Sequence, residues 1–477
     1  MVQLVNPVDA AFRTAVPAER PEAGTRPAGE ARQRLLAALL LTGLAGAACA
    51  QGAFYLRGQV FLAAVLAGAG CLALAIHQFR TGSRPVILVA ALAGWPMLAG
   101  LLHGQAASGV RLALLVLAVP LTIGCARRLG GSTRLLLDGL TALGVLLALA
   151  GWYGVLRHRV PLAIPGQGLY RAASTLSYPN AAGVLLALLV LAGIGADQLA
   201  GAPSGRRWNA RGAALAVLLT GLAATLSRGA LLALAAGLLV LLVGLGPRRL
   251  LTALAGPLAG AAIGTLALLP TAPAGAAGPA GAGGLSPAHQ ALAMAGLLLA
   301  AGVGSISLPA DRSSRWLLLP YGGLAAGALA IAVLRPFPAI GGARLNLDSP
   351  DRWAAWHASW QVFTAHPVAG AGPGLSSLTW HSPGGGVRVF GYAHNEYLQL
   401  LAGLGLLGLG LLLAGLLAVA TLLVRHRPCR PLTFAGAAVS TALLVSMTLD
   451  FTGHFPAIVL TAAAVVGCAV PVQPARP

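Results

Sequence analysis

Few residues in this 477-residue chain can do chemistry, and most of them stand where apolar segments begin or end. His394, in Ala393-His394-Asn395-Glu396, lies at the mouth of the apolar stretch 398–424. Its imidazole can act as a base toward a hydroxyl, although a histidine at a helix start also serves as a plain polar cap. Arg228, in Ser227-Arg228-Gly229, falls between two apolar runs, where a guanidinium is costly unless an anion meets it. Arg171 and Asn180 belong to a polar loop over 156–180. That loop reads either as a basic lip for an anionic substrate or as ordinary loop charge, with Asn180 capping the next helix. Arg352 opens a run in which Trp353, Trp356, Trp360 and Phe363 recur at three- and four-residue spacing, an amphipathic stripe. Its rings either lie in a membrane interface or stack on sugar faces.

The elements that must position these side chains are membrane helices. The chain is 57% hydrophobic and 9% charged. Its continuous apolar runs, rather than runs alternating with period two, predict helices and exclude a transmembrane barrel. Fourteen spans are predicted, at about 35–55, 58–77, 85–103, 109–126, 135–155, 181–198, 212–226, 229–246, 250–270, 288–308, 316–334, 395–424, 431–450 and 455–471. The fold class is all-α, a polytopic bundle of about 12–14 spans with one large external loop containing a short amphipathic helix. Residues 1–34 read as a disordered cytoplasmic tail, 35–334 as a bundle of about eleven spans, and 335–394 as an external catalytic loop. The C-terminal helices occupy 395–471, followed by a short tail over 472–477. Ala48-Cys49-Ala50 faintly resembles a cleavage site, but the polar lead-in and many later spans favour an uncleaved first helix.

Charge placement sets the orientation. The net charge of +20 comes from 31 basic residues, all arginine, clustered between apolar runs as topology signals are, so no nucleic-acid partner is expected. With the N terminus inside, 21 arginines fall inside and 10 outside, which places both termini in the cytoplasm and the long loop outside. Reading 212–246 as one helix would span about 52 Å and invert every later loop, so Ser227-Arg228-Gly229 is expected to be a tight outer turn that buries Arg228 within the bundle. The five cysteines show no paired or metal-ligand spacing, and there is no cluster of carboxylates to hold a metal. The segment 271–287 is low-complexity linker. Gly370, Gly372 and Gly374 form a turn too tight for side chains, with no dinucleotide fingerprint.

Four pieces together resemble the O-antigen ligase family and its polysaccharide-polymerase relatives. They are His394-Asn395 followed by Gly405 and Gly408; Asp351-Arg352-Trp353 through Trp360 with His366-Pro367-Val368-Ala369-Gly370-Ala371-Gly372-Pro373-Gly374; Thr225-Leu226-Ser227-Arg228-Gly229-Ala230; and Arg171 with Pro179-Asn180. They cover about 171–408. Two departures stand out: Ala402-Gly403-Leu404 occupies the place where relatives often carry an acid, and fourteen spans exceed the usual twelve or so. The resemblance implies glycosyl transfer on the outer face of the bacterial plasma membrane. The donor would be a glycan on a polyprenyl diphosphate, and the acceptor another glycan, a lipid-core sugar or a protein hydroxyl. His394 would deprotonate or orient the acceptor, with Arg228 as its catalytic partner. Arg171, Arg352, Asn180, Asn395, Trp356 and Trp360 would bind the diphosphate and sugars, with no nucleotide, metal or other cofactor. Arginine suits this task because its planar fork grips phosphate in two places and keeps its proton.

Two rivals remain. A polysaccharide repeat-unit polymerase shares the donor and differs in the acceptor. A secondary transporter would use buried acids such as Asp138 and Asp450 as an ion path. Against it, Asp138 lies four residues after Arg134 and reads as a helical ion pair, Asp450 ends its span near the outer surface, and no inverted repeat is visible.

Overall fold

The computed structural model describes residues 27–76, 83–166, 168–199, 209–272, 287–306, 350–381, 385–425 and 431–471. Fourteen α-helices lie within them. The first five are α1 (Pro27–Cys49), α2 (Leu56–Ile76), α3 (Ser83–Leu102), α4 (Ala106–Ala126) and α5 (Thr133–Arg157). Then come α6 (Pro179–Leu199), α7 (Ala210–Ala224), α8 (Arg228–Leu245), α9 (Pro247–Leu268) and α10 (Pro287–Gly304). The last four are α11 (Pro350–Ala365), α12 (Glu396–Arg425), α13 (Pro431–Leu449) and α14 (Pro456–Ala469). Thirteen of them coincide with expected spans, and α11 is the expected loop helix. The expected span over 316–334, the linker, the loop residues 335–349 and the C-terminal tail from 472 lie outside the described residues. Among the described residues, nine helices are long and apolar enough to cross a membrane, and Ile87–Leu102, Ala210–Ala224 and Pro456–Ala469 are shorter apolar helices. The chain is a multi-pass membrane protein of all-α class. Two small antiparallel hairpins that the sequence reading did not include are the exception: β1 (Ala163–Gly166) with β2 (Leu169–Ala172), and β3 (Leu378–His381) with β4 (Val387–Phe390).

One boundary differs from expectation. Helix α1 starts at Pro27, inside the segment read as a disordered tail. Proline suits a first turn, and Glu30 and Arg34 pair at 3.5 Å across one turn, so the polar lead-in continues as helix.

Contacts pin both ends of the bundle. At one end, Asn209 N donates to Ser305 O at 2.7 Å and Arg127 Nε donates to Val470 O at 2.9 Å. At the other, called here the loop end, Gly374 N donates to Gln105 Oε1 at 2.6 Å. The stretch 212–246 is two helices joined by a turn at 225–227, as the length argument requires. The turn holds because Ser227 caps α8, its hydroxyl accepting from Ala230 N at 3.3 Å. Helix α6, apolar on every side, is 94% buried along its span and forms the axis of the bundle. Asp138 pairs with Arg134 at 3.7 Å and with Arg211 at 2.7 Å, the ion-pair role expected of it.

Helix α12 is not continuous. At Gly405 the backbone turns to φ 66°, ψ −164°, a region essentially reserved for glycine. The strap 366–374 runs alongside the break. Ala371 N and Gly372 N donate to Ala402 O and Gly403 O at 2.8 and 2.9 Å. Leu406 N and Leu407 N donate to Pro367 O and Val368 O at 2.9 and 3.3 Å. Trp95 Nε1, from α3, donates to Leu404 O at 3.1 Å. Every amide or carbonyl freed on these rungs finds a partner, which irregular backbone in an apolar bundle requires. Of the glycines read as a tight turn, Gly370 lies directly against the Gly403 backbone, Gly372 supplies a rung amide, and Gly374 lies against Gln105 and Ser108.

Candidate active site

The site forms at the loop end, where the starts of α6, α8 and α12, helix α11, strand β2 and the end of α13 converge. Its hub is Asp450, one residue past α13 and 4% exposed. Tyr178 Oη donates to Asp450 Oδ2 at 2.7 Å, and Asn180 Nδ2 donates to the same oxygen at 2.5 Å. Arg352, from α11, lies 3.8 Å from Oδ2. On the other oxygen, Phe451 N donates at 2.9 Å and His394 Nδ1 stands at 3.0 Å. Burial alone raises the pKa of this carboxyl. The hydrogen bond and charge of His394, the Tyr178 hydroxyl and Arg352 outweigh it and hold Asp450 below the usual carboxylate range. Burial, and then the neighbouring Asp450 charge, push the Tyr178 phenol up, so it remains a donor.

An ionised carboxylate only accepts, so the bond to His394 assigns the proton to Nδ1 and leaves Nε2 as the nitrogen that can take a proton from a substrate. The residue is held in place by its backbone as well. His394 adopts φ 51°, a left-handed conformation that histidine tolerates better than most residues, and its ring meets Phe451 edge-on at 5.2 Å. Gln399 anchors the chain just before it: Ala393 N donates to Gln399 Oε1 at 2.8 Å, and Gln399 Nε2 donates to Leu375 O at 3.3 Å.

Arg171 extends the network. It sits on β2, where its Nε donates to Thr225 O at 2.9 Å and its second amino group to Asn180 Oδ1 at 2.7 Å. A continuous chain therefore runs from Arg171 through Asn180 and Asp450 to His394. A narrow crevice beside it is lined by Asn180, Ser227, Gly229, Arg352 and Asp450. Around this single carboxylate the segments carry three guanidinium groups, those of Arg171, Arg228 and Arg352, and the excess positive charge suits an anionic ligand.

Several expectations are corrected here. Asn180 does not cap α6: it is the second residue of that helix, and its carboxamide bridges Arg171 and Asp450. Asn395 does not point its carboxamide oxygen at a ligand, because Oδ1 accepts from Tyr397 N and Leu398 N, both at 3.1 Å. It is the cap of α12, which satisfies two amides at a helix start. Asn395→Ala should therefore lower stability by about 1 kcal/mol, and Asn395→Ser should restore most of it, read as thermal midpoints in detergent. Arg228 is not buried within the bundle but exposed as the first residue of α8, beside the crevice lined by its neighbours Ser227 and Gly229. The short helix α7 ends just below the loop-end surface, and the turn carries the side chain outward.

The aromatic stripe of α11 lies opposite its packed face. The buried face consists of Ala354, Ala355, Ala358 and Ser359, small residues that let the helix lie close against the neighbouring loop and α12. Trp353 and Trp360 are 55% and 50% exposed, and Trp360 packs on Phe363 away from Asp450. Trp356, half-buried and one turn beyond Arg352, packs edge-on against Trp353, and its buried indole N–H has no partner among the described residues. Arg388 on β4 pairs with Asp351, tying the hairpin to the start of α11.

Sequence reasoning missed two members of the site. Asp450 was weighed only as a transporter's buried acid and as an acid ending a span, and Tyr178 was given no role of its own. The chain signal for Asp450 was an unpaired acid directly after nineteen apolar-rich residues of α13, a position that calls for a partner.

The O-antigen ligase resemblance is borne out by comparison with known families. A family model described as O-antigen ligase matches residues 282–413. That segment includes α11, the strap, both loop strands, His394 and the break at Gly405, and it ends before Asp450. Among curated proteins, none matches the chain.

Proposed function

We propose that this chain, which carries an O-antigen ligase segment, is a membrane glycosyltransferase that moves a glycan from a polyprenyl diphosphate to an acceptor hydroxyl. The loop end, from α11 to the start of α12, is its catalytic face and lies on the outer side of a bacterial plasma membrane, with both termini in the cytoplasm. The observation that carries this reading is His394, aligned by the buried Asp450 and set among Arg171, Arg228 and Arg352.

In the transfer, His394 Nε2 takes the proton of the acceptor hydroxyl as its oxygen attacks the anomeric carbon. The carbon–oxygen bond to the carrier breaks, and the electron pair leaves on the diphosphate. Fixed arginines lower the barrier because they are already in place when that charge develops. Arg352, partly exposed and weakly engaged with Asp450 at 3.8 Å, can turn toward the diphosphate, while Arg228 stands at the positive end of α8. Trp353 and Trp356 offer faces to the sugars above it.

The test is a transfer assay with purified protein, a polyprenyl-diphosphate oligosaccharide, a panel of acceptors, a chelator and no nucleotide. Acceptor-dependent release of polyprenyl diphosphate is expected, with His394→Ala and Arg228→Ala each reducing it by about 10²-fold or more. Full release by either folded variant would overturn the assignment. The acceptor that supports release decides between a ligase and a repeat-unit polymerase.

A further inference from the structure

A second cavity, of about 370 Å³, opens at the loop end and shares no lining residue with the crevice beside Asp450. It lies where the starts of α2 and α4 meet Tyr392 and the turn before α14. We infer that this cavity, bounded by Tyr55, Gln59, Arg111, Tyr392 and His454, is a binding site for a sugar ring bearing a phosphate or carboxylate, on the acceptor side of the reacting centre. The word acceptor rests on the transferase reading; the binding does not.

Size and walls come first. The volume falls within the range of small-molecule sites, and those sites combine apolar faces with a few fixed polar groups. Here Phe54 packs on Tyr55 at 5.1 Å, on Tyr392 at 6.1 Å and on Phe455 at 5.1 Å, which makes a rigid aromatic wall. Aromatic faces suit the apolar face of a pyranose, while its hydroxyls need donors and acceptors close by.

Charge decides the kind of sugar. Arg111 is the sixth residue of α4, about 7 Å below the helix start, a depth at which a guanidinium calls for an anion or a polar cavity. Its Nε donates to Gln59 Oε1 at 3.0 Å, and Gln59 Nε2 donates to Phe54 O at 3.1 Å, so the fork is held in place. The nearby acid is already engaged: Glu396 Oε1 lies 2.9 Å from His454 Nδ1. Burial lowers the proton affinity of His454, but the Glu396 charge and hydrogen bond reverse that and raise it, so this pair is closer to neutral overall. The charge of Arg111 is left for a ligand, and its planar fork matches phosphate or carboxylate.

Position gives the role. Tyr392, on the cavity wall, stacks on Phe451 at 4.4 Å, and Phe451 is the ring that His394 meets edge-on. Two stacked rings, Tyr392 and Phe451, therefore lie between the cavity and the His394 imidazole. The diphosphate-side arginines, Arg171 and Arg352, belong to the separate crevice network.

Saturation-transfer NMR on the purified full chain tests this with methyl glucuronide, glucose phosphate and methyl glucoside, with no donor present. Both anionic probes should bind, and the neutral one about fivefold or more weakly, the loss of one charge-assisted contact. Arg111→Gln should erase that preference, Tyr55→Ala should weaken all three, and His394→Ala should bind as the unaltered chain does. Gln59→Glu, which places a carboxylate beside Arg111, should also remove the anionic preference and serves if Arg111→Gln does not fold. Binding unchanged in Arg111→Gln and Tyr55→Ala, or no binding at all, overturns the inference. Repeating the titration in nanodiscs separates the sources of the anion. Equal binding in phosphatidylcholine and phosphatidylglycerol supports a sugar ligand, while loss in phosphatidylglycerol alone assigns the cavity to a lipid headgroup and overturns it. A chain that binds these probes yet transfers to no acceptor would sink the transferase reading alone.

Discussion

Asp450→Asn is expected to lower the rate of glycan transfer by about 10²–10⁴-fold while leaving a folded protein, the range found when a general base loses its proper protonation or orientation. One Asp450 oxygen accepts from Tyr178 and Asn180, and the other from Phe451 N and the His394 ring. An asparagine must point its NH₂ at one of these sets of donors. If it points at Tyr178 and Asn180, the crevice loses its hydrogen bonds; if it points at His394, it selects the tautomer with the proton on Nε2, which cannot act as a base. Asp450 is a positioning residue, so a merely structural role has to be separated from it. The division between kcat and KM does so: loss of the base's working tautomer lowers kcat and leaves KM in place, whereas a collapsed site moves both. Tyr178→Phe removes one donor and keeps the carboxylate, so it should slow transfer by about 10–100-fold, the scale of one hydrogen bond to a charged group. A thermal midpoint within a few degrees of the unaltered protein, together with full activity in Asp450→Asn, would remove Asp450 from the mechanism.

This network also shows what the chain made legible and what it did not. Apolar run length placed thirteen helices, because in a membrane bundle the span itself is the dominant constraint. The chemistry-bearing types His394, Arg171, Arg228 and Arg352 could be picked out because each interrupts or borders an apolar run where a polar group is costly. Asp450 has the same property, but it lies 56 residues beyond His394, with all of α12 and α13 between them. Nothing local in the sequence says that these helices bring the two together. The faces of α11 were legible on one side only. The aromatic stripe could be read from its spacing, whereas the packed side is built of alanine and serine, which allow close approach of backbones and leave little pattern in the sequence. Asn180 and Asn395 show how ambiguous a polar residue at a helix start is. Asn180 was open to capping and to binding, Asn395 was read as binding, and each took the role that its neighbours required: Arg171 and Asp450 for the first, two bare amides for the second.

The strap against α12 carries the second large expectation, this one on stability. Gly405→Ala should cost about 3–5 kcal/mol, which for a membrane bundle means loss of most folded protein from the detergent extract. Two penalties act together. At φ 66°, ψ −164° an alanine is strained by its own Cβ, and that Cβ would overlap the Val368 carbonyl and approach Ala369 N to 2.7 Å. Neither backbone can retreat without breaking the bonds from Leu406 and Leu407 to Pro367 and Val368. Gly370→Ala, at φ 72° against the backbone of Gly403 and Leu404, should fail in the same way from the other side of the contact. Gly410→Ala is the control on the same helix: its Cβ would meet nothing within 4 Å, so the substitution should be neutral or stabilise by up to about 1 kcal/mol. If Gly405→Ala behaves like Gly410→Ala in midpoint and yield, the break is not held as described. If it unfolds as expected, transfer must be lost with it, since the segment that ends at Gly405 begins at the turn holding His394. Gly405 then keeps two backbones in register, and the base keeps its place because of it.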